Sequence, residues 1–364
     1  MPGINISDNA QARAVAIEKT LTREKSLITP IGYHSEGRLL IIGPGEQTLP
    51  IATMLSKHLN CTIVTSDEAS IEDKIKTKNR IRVLPYQVQE LTGFLGAFEV
   101  IVEANVGQDN LATLLGETDG CFDLVLDIGD EPILAREILP PGYFAPASDA
   151  DLQRVVQELP DLVGEFEKPK YFNYNPDICA HGSSGLKGCS RCIDACPTEA
   201  IISIGDRVEV DPHLCQGGGS CATVCPSGAM TFVYPPASDT LNTIRTLVRH
   251  YREAGGQSPV ILFHDAMQGR HVLEPIKDSL PGHVLTMEIE EIGAVGIDVW
   301  LSAMAYGFNH ILMLLPSTTP SRVKTAINEQ LVYARAIIEG IGYAGDRIAT
   351  LVAEKGGAII NELE

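Results

Sequence analysis

"GCSRCIDACPTEA", from Gly188 to Ala200, carries three cysteines at spacings of two and three residues, with a proline directly after the last. A near-twin, "CQGGGSCATVCPSGA", runs from Cys215 to Ala229. The two lie about 29 residues apart, so that Cys192 aligns with Cys221 and Cys196 with Cys225, and each run ends in Cys-Pro followed by Thr-Glu-Ala or Ser-Gly-Ala. In the twin, Gly218 stands where a second cysteine belongs. Two residues between ligands let a tight loop wrap one cluster, whereas three start a helical turn that aims the next thiolate at a neighbouring site. The proline sets the exit of that turn.

The bacterial two-cluster ferredoxin run is C-x2-C-x2-C-x3-C-P, in which three cysteines grip one cluster and the fourth crosses to the other. In the first run Cys189, Cys192 and Cys196 match the last three positions, and the first falls on Leu186. Cys179 lies about seven residues earlier, and the loop "AHGSSGLKG" can bring it back, since lengthening a loop costs only ~0.6 kcal/mol per doubling. The expected ligands of cluster I are therefore Cys179, Cys189, Cys192 and Cys225, a full thiolate set for [4Fe–4S]. Cluster II is left with Cys196, Cys215 and Cys221, because glycine at 218 cannot ligate. Three states stay open there: [3Fe–4S], a second [4Fe–4S] whose unique iron carries water or an outside ligand, or a site that no longer fills. Four-thiolate zinc sites also use CxxC pairs, but they need neither a Cys-Pro crossover nor two interleaved sets. Two clusters in such a module would pass single electrons from one surface to another.

Composition narrows the remaining possibilities. The 364 residues, 44% hydrophobic, suffice for two or three cores. A formal charge of −19 disfavours nucleic acid and anionic membranes and favours basic partner surfaces. The opening thirty residues lack the apolar core of a signal peptide, and no apolar run approaches the ~20 residues of a membrane span. A cytoplasmic protein without membrane insertion is expected, and an oligomer is compatible with the sequence. Of nine cysteines, seven fall between Cys179 and Cys225, which suits clusters better than disulfides, and Cys61 and Cys121 read as small hydrophobes.

Five segments follow from the periodicity: an N-terminal arm (1–37), an α/β domain (38–135), a proline-rich connector (136–170), the cysteine module (171–236) and a second α/β domain (237–364). "GRLLIIGPGEQTLPIATMLSKHLNCTIVTSD" has the order strand, glycine turn, helix, strand, and "RIRVLP", "FEVIVEAN" and "DLVLDIG" add further strands. "SPVILFHD", "HVLTMEI", "HILMLLP" and "RIATLVA" predict a second parallel sheet. The expected fold class is α/β: two Rossmann-like or flavodoxin-like domains flanking a small α+β dicluster ferredoxin module.

Weaker signals have plainer alternatives. Gly43 and Gly45 follow a strand and precede a helix, and Asp67 ends the next strand, as in a site for FAD or NAD. The third glycine position is Thr48, and Glu46 would stand beside the pyrophosphate, so a cofactor-free scaffold is the simpler expectation. Lys74, Lys76, Lys78, Arg80 and Arg82 form a basic stretch that reads as a solvated face, or as a dock for an acidic partner or a 2′-phosphate. His264 and Asp265 end a strand where α/β proteins place ligands, yet a structural histidine explains them as well, and Trp300 reads as core.

The cysteine runs, with "YREAGGQSPVILFHD" and "VGIDVWLSAMAYG", resemble a group of proteobacterial dicluster 4Fe–4S proteins, larger than this chain and often found near formate dehydrogenase. The resemblance covers roughly residues 38 to 350. In that group the position of Gly218 is a cysteine, while Cys179 matches. "GRLLIIGPGEQT" is similar to a degenerate form of the flavin-binding subunit of heterodisulfide reductase, whose glycine fingerprint is incomplete here. The C-terminal domain is similar to the hydrogenase delta subunit without its cluster, since no cysteine follows Cys225. The resemblance implies an electron carrier or non-catalytic redox subunit working with a partner such as formate dehydrogenase or another oxidoreductase. The alternative is a flavin- or NAD-dependent oxidoreductase whose N-terminal domain feeds the clusters, and a third reading makes the clusters structural or redox-sensing.

Overall fold

The computed structural model describes residues 6–20, 29–65, 81–104, 107–182, 188–353 and 355–363. It separates into two compact units, Pro30–Lys168 and a second made of Met1–Thr29 with Pro169–Glu364. Both are mixed α/β with parallel sheets.

The chain opens with helix α1 (Ile6–Thr20), which belongs to the second unit. The Pro30–Lys168 unit follows with β1 (Pro30–Ser35), β2 (Arg38–Ile42), α2 (Gly45–Leu55), β3 (Asn60–Val64) and β4 (Ile81–Leu84). Next come β5 (Val88–Thr92), β6 (Glu99–Ala104), β7 (Gly107–Asn110), α3 (Leu111–Leu114), β8 (Leu124–Asp127), β9 (Tyr143–Phe144), α4 (Asp149–Glu158) and β10 (Gly164–Pro169). Among the described residues a parallel sheet runs β4-β3-β2-β8-β9. Leu39, Leu40 and Ile41 of β2 are fully buried, as expected for a strand covered on both faces.

"FEVIVEAN" does form a strand, β6, but it pairs antiparallel with β5 and β7 instead of joining the parallel sheet. The links between these strands are a few residues long, and a parallel pairing needs a crossover of a dozen or more. The proline-rich segment after β8 also contributes to the sheet: β9 pairs parallel with β8, and Tyr143 donates its hydroxyl to buried Asp127 at 2.6 Å. A charged network closes the opposite edge, where Asp123, 1% exposed, accepts from the Glu36 and Arg38 amides and from the Arg38 guanidinium.

The second unit contains β11 (Phe172–Tyr174), α5 (Arg191–Asp194), β12 (Ile201–Ile204), β13 (Arg207–Val210), α6 (Ser220–Thr223) and β14 (Met230–Phe232). After them come α7 (Ala237–Glu253), β15 (Val260–Asp265), α8 (Gln268–Leu273), β16 (Val284–Ile289), α9 (Ile297–Tyr306), β17 (His310–Leu315), α10 (Ser321–Gly340), β18 (Ile348–Val352) and α11 (Gly356–Leu363). Among the described residues β16-β15-β17-β18 form a parallel sheet. Its core holds Trp300, Phe263 and Tyr251, each essentially inaccessible. On α10, Val323, Ile327, Leu331, Ala334 and Ile338 bury one face at the three-and-four spacing of an amphipathic helix.

The sequence offers α1 no neighbour, yet in the structure it packs against α7 at the far end of the chain. Ala12 and Ala16, one helical turn apart, are fully buried in the core of the β15 sheet. Their small side chains permit close approach. Arg13 Nη1 donates to the carbonyls of Leu280, Pro281 and Val284 at 3.0–3.3 Å, and Asn9 accepts from the Gln257 amide at 2.9 Å. Ala16→Asp would bury an unpaired charge and is expected to cost about 3 kcal/mol. Ala14→Asp, on the exposed side of the same helix, is expected to stay within about 0.5 kcal/mol. Urea unfolding midpoints of the two variants check this.

Candidate metal centre

Two short antiparallel pairs frame the cysteine module. β11 pairs with β14, setting Phe172 opposite Phe232, and β12 pairs with β13, setting Ile201 opposite Val210. Phe172, Ile201, Val208 and Met230 form a small core against which Cys192, Cys196, Cys215, Cys221 and Cys225 pack. The sequence repeat is a structural one: α5 carries Cys192 and α6 carries Cys221, and each is followed by the Cys-Pro pair. Cys196 N donates to Ile193 O at 3.2 Å, and Cys225 N to Ala222 O at 3.3 Å. The x3 spacing thus makes the same turn in both halves.

Cys179 is held by its own loop ends. Cys189 N donates to Ala180 O at 3.1 Å. His181, buried, bridges Cys189 O through Nδ1 and Ser203 Oγ through Nε2, both at 2.7 Å. Gly188 lies so close to His181 O that a Cβ would stand 1.6 Å away. His181 carries no motif signal in the sequence beyond its place between two candidate ligands. Residues 183–187, including Leu186, lie outside the described residues.

The electrostatics sort the thiols into two groups. Burial, then the charges of Cys189, Cys225 and Cys179, push the Cys192 thiol up to about 11. Burial, then Cys215, Cys196 and Cys192, raise Cys221 well above the usual thiol range. Cys225 goes the other way: burial opposes its ionisation, but the Met230 amide at 3.4 Å, the Ser227 hydroxyl and further amides outweigh it and lower its pKa. The neighbours of Cys192 are thus the other three thiols expected at cluster I, and the first two neighbours of Cys221 are the remaining pair expected at cluster II. Thiols pushed up by burial and by one another are poor anions alone, and a positively charged metal centre is what deprotonates such a set. Clustered thiols around a repeated Cys-Pro turn fit a 4Fe–4S cluster.

The three adjacent glycines near Cys215 differ in what they require. Gly217 has φ +80° and a Cβ there would stand 2.8 Å from the Tyr171 ring, while Gly219 has φ +74° and would meet Ala294 Cα at 2.4 Å. Gly218 has an ordinary φ, and its nearest neighbour would be Pro197 Cγ at 3.7 Å. A side chain fits at 218 and not at its neighbours. Gly218 also lines a small cavity together with Cys196, Cys215 and Cys221.

The second α/β domain closes over this half of the module. Thr223 Oγ1 donates to Gly293 O at 3.2 Å and accepts from Gln330 Nε2 at 3.2 Å, and Ala195, Val224 and Ala326 pack together. Arg322 Nη1 donates to Cys196 O at 2.8 Å and Nη2 to Glu199 at 3.0 Å. Sequence reasoning missed Gly293, Arg322, Ala326 and Gln330, because they lie in another segment and bear no metal-ligand chemistry.

The other sequence candidates are placed as follows. Gly43 has φ +147° and faces Ile128, Gly45 opens α2, and both flank the carboxyl edge of the β2-β3-β8 sheet. A cavity there is lined by Gly43, Pro44, Thr65, Tyr86, Gln87 and Gly129. Asp67 and Lys74, Lys76, Lys78 and Arg80 lie outside the described residues, and Arg82 pairs with Glu117 at 3.5 Å. His264 Nδ1 meets Asp265 O at 3.0 Å, and Asp265 accepts from the Met267 and Gly269 amides. Both residues thus tie down the loop after β15. Trp300 is core. Cys61 is buried, which pushes its thiol up to about 12.

Residues 208–231 match the family described as 4Fe-4S binding domain. The match places a 4Fe–4S binding domain in the second half of the cysteine module. The matched stretch contains Cys215, Cys221 and Cys225 and spans Gly218, and it supports an iron–sulfur role in electron transfer. No curated protein matches the chain. Among the described residues no helix is long and apolar enough to cross a membrane.

Two outcomes follow from the packing. Gly218→Ala is expected to cost under about 1 kcal/mol, whereas Gly217→Ala and Gly219→Ala are each expected to cost about 1–3 kcal/mol; denaturant titration of the three variants distinguishes them. Burial, then Asp265 and Glu290, push the Glu291 carboxyl up to about 7. The folded chain therefore holds a proton that the unfolded chain releases, and stability falls as pH rises from about 4.5 to about 7, by about 2–3 kcal/mol. Glu291→Gln is expected to flatten that slope, read from unfolding midpoints on either side of the window.

Proposed function

We propose that the chain is a two-cluster electron relay whose ferredoxin module is carried by α/β domains of Rossmann-like and flavodoxin-like type. The observation that carries this reading is the repeated Cys-Pro turn, supported by the thiols that act on Cys192 (Cys189, Cys225, Cys179) and on Cys221 (Cys215 and Cys196, then Cys192). Cys179, Cys189, Cys192 and Cys225 would hold a [4Fe–4S] cluster, and Cys196, Cys215 and Cys221 a second cluster with one position lacking a protein thiolate. When bound, such clusters take up and give back single electrons with no proton or bond change. The chain's own contribution is to bury the thiolates, to direct amides such as that of Met230 at their sulfurs, and to leave room at Gly218. The strand orders β4-β3-β2-β8-β9 and β16-β15-β17-β18 favour the two domain types. The resemblance to the formate-dehydrogenase-associated group points to a cytoplasmic oxidoreductase as the partner.

A second reading, in which the Pro30–Lys168 unit binds FAD or NAD and feeds the clusters, is favoured by the cavity beside Gly43 at the switch point of its sheet. Flavin in the purified protein, or NADH binding tighter than ~1 mM, would favour it.

Anaerobic reconstitution with iron and sulfide counts and low-temperature EPR tests the leading reading. Two centres are expected, and the one lacking a fourth thiolate is expected to lose iron first on mild oxidation. Gly218→Cys, which the local packing accepts, is expected to slow that loss several-fold and to remove any paramagnetic signal of the oxidised state. A colourless, sulfide-free folded protein would overturn the reading, and an unchanged iron count and oxidation rate in Gly218→Cys would overturn the ligand assignment.

A further inference from the structure

The turn after Cys196 contains a residue its twin does not. Cys196-Pro197-Thr198-Glu199 corresponds to Cys225-Pro226-Ser227-Gly228, and the last residue of each adopts a left-handed backbone, φ +55° at Glu199 and +70° at Gly228. Glycine takes that conformation freely, whereas for a residue with a Cβ it costs on the order of 1 kcal/mol. Glu199 is one of only two non-glycine residues with positive φ among those described. Its carboxylate lies 3.0 Å from Arg322 Nη2, and Arg322 Nη1 reaches the carbonyl of Cys196 itself at 2.8 Å. Arg322 is the second residue of α10, so the electropositive end of a twenty-residue helix sits at the same turn. The next turns of α10 continue along the module through Ala326 and Gln330.

We propose that Arg322 sets the reduction potential of the centre held by Cys196, keeping it higher than its thiolates alone would allow. This rests on the reading of Cys196, Cys215 and Cys221 as a cluster site. Reduction by a one-electron donor adds one negative charge to that centre and breaks no bond. A fixed cation hydrogen-bonded to the backbone of a ligand stabilises the reduced form more than the oxidised one. Glu199 orients the guanidinium and partly offsets its charge, which gives the left-handed glutamate a purpose. The cation comes from the α/β domain, so that domain acts on the electron carrier as well as supporting it.

The test is an EPR-monitored redox titration of the reconstituted full chain with dithionite as donor. The signal altered by Gly218→Cys identifies the Cys196 centre. Arg322→Gln is expected to lower the ratio of reduced to oxidised centre about tenfold at a fixed potential, about 59 mV for a one-electron couple, with iron content unchanged and the other centre moved far less. Arg322→Lys, which keeps the charge, should recover most of the shift. Glu199→Gln, which leaves the bond to the Cys196 carbonyl in place, should raise the potential, and it carries the test if Arg322→Gln does not fold. Two centres with potentials unmoved in both Arg322→Gln and Glu199→Gln would overturn the inference and leave the relay intact. A wild-type chain with a single redox centre would overturn both.

Discussion

Five of the seven clustered cysteines pack against a core of four buried hydrophobic side chains, and two of them, Cys192 and Cys221, are held there against their own ionisation. Burial raises both of these thiols, and neighbouring thiols raise them further. The module cannot ionise these groups without a compensating positive centre, and it cannot use them as an ordinary apolar core without wasting the amides and hydroxyls that surround them. Iron–sulfur ligation resolves this conflict, because the metal supplies the charge that the low dielectric withholds from the protein. Hydrogen bonds such as Met230 N to Cys225 Sγ then decide how much of that charge is shared locally.

The module is too small to shield both halves by itself, and the second half uses the neighbouring α/β domain as a wall. Gly219 and Gly293 let two backbones approach closely, and Gln330 links Thr223 to the start of α9. A glycine-rich loop at this point therefore has two explanations. Gly217 and Gly219 answer to backbone conformation and to packing against Tyr171 and Ala294, while Gly218 answers to neither and stands open at the site. Packing therefore does not explain glycine at 218, where a side chain has room.

Much of this could be read along the chain. The Cys-Pro repeat and the buried strands of both parallel sheets are local patterns, with spacings of two, three or four residues that fix which side chains share a face. The antiparallel pairing of β6 was not legible, because an apolar run has the same periodicity whichever neighbour it pairs with. The docking of α1 onto α7 was equally hidden, since Arg13 reaches carbonyls some 270 residues away. Asp67, offered as part of an FAD or NAD site, lies outside the described residues, and a Cβ at Gly43 would crowd Ile128.

The sequence by itself determined the chemistry: which residues are thiols, how they are spaced, and that one position is glycine. Those are properties of neighbours on the chain, where a few dihedral angles leave little choice. Only the tertiary structure decided what surrounds them: His181 across the Cys179 loop, Arg322 at the Cys196 carbonyl, and the glycine that packing does not require. Such contacts depend on segments that meet because their apolar faces must be buried together, and burial is a property of the whole unit that no short stretch records.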